Sequence, residues 1–292
     1  MILVTGATGQ LGNATIDFLL KKGIPANEIF ALARSAEKGK VLKEKGVNVK
    51  IGDYTNYKSL TEAFKGVDKL FFISSGDMVG RGKQHENVVN AAKEAGVKYV
   101  LYTSFERKNE TETSPIAFVA KGHLKAEETL KDTGLPHTLF RNNIYMDYIP
   151  FFIGDKVLEM GMVYLPASEG KGGFALRIEM AEAAANVLTS SGHEGKTYNI
   201  SNVEKYAYGD VAKTIGEVTG KEINYISPSA EEYIKTLTDA GVPKEGAEAG
   251  AAFALAHAQG EFDKTSSDLE NLLGKKPTSL KQYLTEVYSN TK

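Results

Sequence analysis

The first half of the chain repeats one piece of punctuation five times: a stretch of helical character ends in glycine, and a β-branched or aliphatic run begins at once. The glycines are Gly23, Gly46, Gly66, Gly96 and Gly134, followed by Ile24, Val47, Val67, Val97 and Leu135. Glycine just past a helix closes the last turn because, without a Cβ, it enters the left-handed region freely. The apolar runs that follow cover residues 29–33, 47–51, 69–73, 99–103 and 138–140, and residues 2–5 supply a sixth in front. Strands this uniformly apolar, separated by helices, belong to a parallel sheet covered on both faces. The expectation is an α/β protein with a doubly wound parallel sheet.

The second half is less regular. It reads as a helix over 179–189, a strand over 196–200 that returns to the sheet, a helix over 208–219 ended by Gly220, and a strand over 222–226. Helices follow over 230–240, 245–259, 266–273 and 279–288. The expected division is a core of residues 1–145, completed by about 174–201, with 146–173 and 202–292 forming a smaller, mostly helical substrate lobe. Such a lobe belongs at the carboxyl edge of the sheet, where open α/β sheets bind their ligands.

Composition narrows the function classes. A net charge of −2, with no run dominated by Lys and Arg, gives no field that would draw the chain onto nucleic acid or an anionic membrane. With no cysteine there is no disulfide framework, thiolate metal site or cysteine nucleophile. The opening Met1-Ile2-Leu3-Val4-Thr5 reads as a strand and lacks the pattern of a secretory signal, and the apolar run at 149–153 is too short to span a bilayer. Cytoplasmic location is the expectation; no metal is expected, and a homodimer is left open.

The motif with most chemical content is Thr5-Gly6-Ala7-Thr8-Gly9-Gln10-Leu11-Gly12, directly after a strand and opening a helix. A tight strand-to-helix turn, close approach of backbone N–H groups to a pyrophosphate, and close helix–strand packing each demand glycine. The setting therefore predicts a Rossmann-type dinucleotide site. At the end of the second strand an acid would take the ribose hydroxyls of NAD, whereas arginine accommodates the 2′-phosphate of NADP. The sequence there is Ala31-Leu32-Ala33-Arg34-Ser35, with Lys38 following. Arg34 can clamp a phosphate through its guanidinium fork and Lys38 adds a point charge, so NADP(H) is the expected cofactor. The alternative is that Arg34 is a solvated loop residue.

These residues, with Gly52-Asp53-Tyr54, His123-Leu124-Lys125-Ala126-Glu127 and Arg141-Asn142-Asn143-Ile144-Tyr145, resemble the NmrA-like atypical short-chain dehydrogenase/reductases. Within that group the likeness is to NADPH-dependent quinone oxidoreductases and triphenylmethane-dye reductases, and it extends through Lys196-Thr197-Tyr198-Asn199-Ile200 and Val218-Thr219-Gly220-Lys221. The resemblance implies that Gly6, Thr8, Gly9, Gln10 and Leu11 line the pyrophosphate, Arg34 the 2′-phosphate and Asp53 the adenine amino group. It places Ser74 and Ser75 near the inner ribose, and Thr103 and Ser104 toward the nicotinamide. Asp53 reads equally as a turn residue, and the two hydroxyl pairs as caps of strand-to-helix turns.

One departure from the wider superfamily bears on mechanism. Short-chain dehydrogenases carry Tyr-x-x-x-Lys on the helix after the fifth strand, with a glutamate following in related epimerases. Anchoring on Glu127 puts His123 at the Lys position and Val119 at the Tyr position, and residues 116–127 contain no tyrosine. Reduction of a simple ketone makes an alkoxide that needs a placed proton donor. A quinone accepts hydride to give a delocalised, phenolate-like anion, and phenols titrate near about 10. A cationic dye needs no proton at all. The expected function is hydride transfer from NADPH to quinones or to cationic and azo-type dyes, with a small flat aromatic substrate. The alternative is a non-catalytic NADP(H)-binding redox sensor that acts through a protein partner, and a nucleotide-sugar epimerase is disfavoured. The catalytic candidates are His123, read first as a hydrogen-bonding group that orients the nicotinamide ribose, and Asn142 and Tyr145 after the sixth strand. A turn asparagine and a half-buried tyrosine would account for the latter two equally well. Phe105 and residues 148–152 offer an aromatic ceiling, and the loops 76–82 and 105–115 are candidate lids.

Overall fold

The computed structural model describes residues 1–289. Strands and helices alternate through the first half as β1 (Ile2–Val4), α1 (Gln10–Lys21), β2 (Ile29–Ala33), α2 (Lys40–Glu44), β3 (Asn48–Ile51), α3 (Tyr57–Phe64), β4 (Lys69–Phe72), α4 (Arg81–Glu94), β5 (Tyr99–Phe105), α5 (Ala117–Thr133) and β6 (His137–Asn142). All five punctuating glycines have φ between 64° and 83°, the left-handed conformation their position after a helix requires. The chain then leaves the sheet through α6 (Ile149–Ile153), α7 (Val157–Met160) and β7 (Met162–Tyr164). It returns by α8 (Arg177–Thr189) to β8 (Thr197–Ile200). The remainder comprises α9 (Tyr208–Thr219), β9 (Asn224–Ile226), α10 (Ala230–Asp239), α11 (Lys244–Ala258), α12 (Asp268–Leu273) and α13 (Leu280–Tyr288).

The main sheet has seven parallel strands in the order β3-β2-β1-β4-β5-β6-β8. Strand order reverses between β1 and β4, so the connections after these two strands run in opposite directions and open a crevice at the carboxyl edge. On one face Ile16, Leu19, Ala184 and Leu188 of α1 and α8 pack on the strands. On the other, Leu60, Phe64, Val88, Ala126 and Leu130 of α3, α4 and α5 do the same. A third cluster, including Ile153, Val163, Phe174, Tyr208, Phe262 and Leu284, forms the interior of the smaller lobe.

The structure departs from the sequence expectation in two places. The lobe contains a two-stranded parallel sheet, β7 with β9, of which β7 was not foreseen. Three residues after Gly161 are too few to display an alternating pattern, although Val163 is fully buried. The second concerns the assignment of all of 202–292 to the lobe. Helix α12 instead packs on the sheet side: Leu269 joins the α1/α8 cluster, Asn199 N donates to Asp268 Oδ2 at 2.8 Å, and Asn186 Nδ2 donates to the Leu272 carbonyl at 2.7 Å. Its apolar face is only Leu269, Leu272 and Leu273, which in sequence fits either body. Among the described residues no helix is long and apolar enough to cross a membrane.

Candidate active site

The turn from β1 into α1 is shaped by its glycines. Gly6 has φ of 57°, and the Thr5 hydroxyl beneath it accepts from Ile73 N at 2.9 Å and from the Tyr54 hydroxyl at 2.5 Å. A Cβ on Gly12 would lie 2.5 Å from the Gly6 carbonyl oxygen, so only glycine allows the helix to seat against the turn. The N-cap is Gly9, which contributes no side-chain cap, so the first-turn N–H groups of α1 remain open at the positive end of the helix dipole. Thr8, Gly9 and Gln10 are exposed beside them. Leu11 is buried in the core, which leaves its backbone N–H as the part that can meet a ligand. An open helix start, a glycine turn and exposed flanking side chains are what a pyrophosphate needs.

Arg34 and Lys38 both lie exposed beyond the carboxyl end of β2. Asp53 follows β3 on the neighbouring strand, and its Oδ1 accepts from Thr55 N at 2.8 Å and from Thr55 Oγ1 at 2.7 Å, the bonds of an Asx turn. Those bonds, with a smaller contribution from the nearby Arg34 charge, hold its carboxyl below the usual range against partial burial. Asp53 thus closes a turn and also sits beside Arg34.

Of the hydroxyls at the carboxyl ends of β4 and β5, those of Ser75, Thr103 and Ser104 are already engaged. Ser74 N donates to Thr103 Oγ1 at 2.8 Å, Ser75 Oγ donates to Gln84 Oε1 at 2.5 Å, and Ser104 Oγ donates to Glu127 Oε1. Thr103 and Ser104 are both buried. Ser75 ties the β4 end to α4, Ser104 ties β5 to α5 and Thr103 joins β5 to the β4 end, and of the four only Ser74 and Ser75 retain partial exposure.

His123 projects from α5 into an aromatic cluster. Its Nδ1 lies 2.8 Å from the Tyr102 hydroxyl, and the Phe105 ring stacks on it at 5.8 Å. Burial, followed by the charges of Arg81, His85 and Arg107, pushes its imidazole well below the ordinary histidine value. Phe105, expected at a substrate ceiling, is instead held between His123 and Phe262. Arg81 opens α4 nearby, almost wholly buried, with Nε donating to the Ser75 carbonyl at 2.9 Å; among the described residues no carboxylate pairs with it. Neither Arg81 nor Tyr102 stood out in the sequence. A tyrosine inside an apolar strand reads as core, and only its hydroxyl, which needs a partner when buried, hinted at more.

Asn142 ends β6 and is 1% exposed, with both polar atoms of its side chain sealed from solvent. An amide sealed from solvent needs a partner, and the adjoining Tyr145 phenol is the group placed to supply one. Burial raises the Tyr145 phenol above its usual value, while its hydrogen bond with Asn142 works against the rise. From Tyr145 a row of rings runs outward: Tyr148 at 5.5 Å, then Phe151 at 6.3 Å from Tyr148 and Phe152 at 5.7 Å from Phe151. The Arg177 guanidinium lies 4.6 Å above the Tyr148 ring. Tyr148 and Phe151 are exposed, which suits a flat aromatic ligand.

The loop 105–115, a candidate lid in the sequence, is anchored at both ends of its path. Buried Glu261 accepts from Lys108 N at 2.8 Å and Asn109 N at 2.9 Å through Oε2, and from Ser114 Oγ at 2.8 Å through Oε1. Fully buried Arg107 binds Glu127 with both terminal nitrogens, at 3.1 and 2.9 Å, and Arg141 adds a third contact at 2.8 Å. This loop is a strut between sheet and lobe. Of its acidic anchors, Glu127 lies in the His123–Glu127 motif, whereas Glu261 is an isolated acid far along the chain that no local pattern announces. The 76–82 loop is more exposed at its tip, where Asp77 Oδ1 accepts from the N–H groups of Val79 and Gly80.

Comparison with known proteins places these features in context. The model of the NmrA-like family matches residues 1–288. Quinone oxidoreductase 2 of Escherichia coli is 35% identical over 290 residues, 99% of each chain. Its crystal structure with NADPH superposes with a TM-score of 0.92, covering 99% of this chain and 100% of that one. The Citrobacter sp. triphenylmethane reductase complexed with NADP(H) gives a TM-score of 0.91 at 41% identity, over 99% and 100% of the two chains. An NAD(P)H azoreductase of Xenophilus azovorans is 27% identical over 252 residues, 85% of this chain and 84% of its own.

Proposed function

The chain belongs to the NmrA-like family, and from that premise we propose that it is an NADPH-dependent oxidoreductase that delivers hydride to quinones or to cationic and azo-type dyes. The observation that carries the cofactor half is the open start of α1, where Gly12 permits a contact no other residue could make and the first-turn N–H groups await an anion. Arg34 and Lys38, exposed at the end of β2, are the residues assigned to the 2′-phosphate. Ser74 and Ser75 are assigned to the ribose side of the crevice. Asn142 and the Tyr145 phenol it adjoins, at and just beyond the carboxyl end of β6, are assigned to the reacting end.

When bound, the reduced nicotinamide supplies a hydride. The protein's part is to hold donor and acceptor in register and to keep water from the reacting atoms. What supports the acceptor class is the group at the position of the usual lysine, a buried histidine held far from its charged form. A site without a charged proton donor favours quinones and cationic dyes, whose reduced forms are stable without one, while the azo class rests on the likeness to the azoreductase. The row from Tyr145 to Phe152 gives such flat acceptors an apolar, aromatic wall.

The test is steady-state consumption of NADPH by the purified protein against a quinone, a triphenylmethyl-type cationic dye and an unactivated ketone. Many turnovers with the first two and none with the ketone are expected. Turnover with the ketone at a comparable kcat/KM would refute the assignment of acceptor class.

A further inference from the structure

We propose that Tyr102 and His85 are positioning residues that lock His123 in the tautomer carrying its proton on Nε2, so that His123 offers an acceptor or ribose oxygen a hydrogen bond but no transferable proton. The inference rests on the reductase reading only for what His123 faces; the lock itself rests on the direction of a hydrogen-bond chain.

That direction is set at its far end. Ser75 N, a peptide donor that cannot accept, points at His85 Nε2 from 2.9 Å. His85 Nε2 must therefore be bare, and the proton of the neutral ring sits on Nδ1. Nδ1 faces the Gly122 carbonyl at 3.3 Å, which can only accept, and the Tyr102 hydroxyl at 3.1 Å. The Tyr102 oxygen thus accepts a hydrogen bond from His85 and donates its own O–H to His123 Nδ1 at 2.8 Å. His123 Nδ1 is then an acceptor, and the ring's proton lies on Nε2. That atom makes no hydrogen bond among the described residues and is not one of the fully sealed, unpartnered polar atoms, so its proton is free to meet a ligand oxygen at the edge of the crevice, though the residue as a whole is only 4% exposed.

The surroundings oppose any other charge state. The groups facing His123 are Tyr102 and Phe105 of β5, Arg81 and His85 of α4, and Arg107 beyond β5. Burial first, then the Arg81 charge, pushes His85 down to about 3. Burial raises the Tyr102 phenol well above its usual value, which keeps the hydroxyl protonated. Nothing can reload the chain with a proton, because it terminates on a peptide N–H and a carbonyl. It orients and does not relay.

The consequence is a substrate rule. An acceptor that takes hydride gains two electrons and one proton. A quinone becomes the hydroquinone monoanion, whose second proton comes from water, and a triphenylmethyl cation becomes neutral. A simple ketone becomes an alkoxide, for which this chain holds no proton. Histidine thereby replaces lysine at the cost of acidity and retains a single directed donor.

The experiment is histidine ¹⁵N NMR on the full chain, with and without NADP⁺, alongside single-turnover hydride transfer. In the wild type, His123 is expected with its proton on Nε2 and no titration from about pH 5.5 to 8.5, where an ordinary histidine changes charge. Tyr102→Phe removes the donor to Nδ1, so His123 is expected to shift toward the other tautomer, with hydride transfer slowed about tenfold, the scale of one hydrogen bond. Tyr102→Phe that fails to fold leaves the wild-type spectrum as the test. A proton on Nδ1, or a His123 that titrates near 6.5, would overturn the lock whatever the activity. The predicted tautomer with no hydride transfer to any acceptor would overturn the reductase reading and uphold the lock.

Discussion

Removing the charge of Glu127 tests how the carboxyl edge is held. Its carboxylate is 12% exposed and receives two bonds from Arg107, one from Arg141 and one from Ser104. Glu127→Gln keeps the shape but turns one oxygen into an amide facing donors, and leaves the fully buried Arg107 without its main partner. Breaking one member of a buried ion pair costs about 3–5 kcal/mol. Arg107 also reaches Glu110 at 2.9 Å, and Arg141 is 26% exposed, so the lower end applies, about 3 kcal/mol. In thermal unfolding, roughly 2 °C per kcal/mol for a chain of this size gives a fall in Tm of about 6 °C. The pH dependence has a definite sign. Burial raises the Glu127 pKa, but the bonds from Arg107 and Arg141 win and set it below the usual value. Its stabilisation is therefore present above the unfolded value of about 4.3 and is lost as pH falls through the lower folded value. The gap between wild type and Glu127→Gln should be widest at neutral pH and close in strong acid. A loss below about 1 kcal/mol at pH 7, the scale of a surface ion pair, would refute the reasoning.

Arg34→Ala should weaken NADPH binding about tenfold to a hundredfold and leave NADH nearly unchanged, measured by fluorescence titration; equal loss for both cofactors would count against the 2′-phosphate role. Gly12→Ala sets a Cβ 2.5 Å from the Gly6 carbonyl oxygen, so it should lower both cofactor affinity and Tm, and unchanged binding would show that the turn is not where the cofactor sits. Glu261→Gln leaves the N–H groups of Lys108 and Asn109 with a weaker acceptor, so their amide exchange should quicken by about tenfold, and limited proteolysis should begin within 105–115.

The sheet was written locally, and the site only in part. Gly23, Gly46, Gly66, Gly96 and Gly134 announce helix ends by a property of single residues, so the strand order's raw material is visible along the chain. The glycine turn at 6–12 is equally local, because its demands for a positive φ and a close contact act over a few residues. What joins distant segments was not visible. Tyr102 gains its meaning only when α4 and α5 bring His85 and His123 to its hydroxyl. Glu261 anchors the 105–115 loop across some 150 residues of sequence, and nothing around it differs from an ordinary helix end. Phe105 alternates correctly for a substrate wall, yet the lobe residue Phe262 meets it first. Helix α12 presents three leucines that would fit lobe or sheet, and Asp268, by accepting from Asn199 N, decides for the sheet.

The most direct test of the central claim follows the hydride itself. NADPH deuterated at the transferable C4 position, mixed with the protein and a triphenylmethyl cation dye, should give a leuco product with one deuterium on the central carbon, a site that does not exchange with water. The same experiment run with unlabelled NADPH in D₂O should leave that carbon unlabelled. Deuterium at the central carbon only in the D₂O experiment, or tight NADPH binding with no leuco product in either, would contradict hydride transfer by this protein.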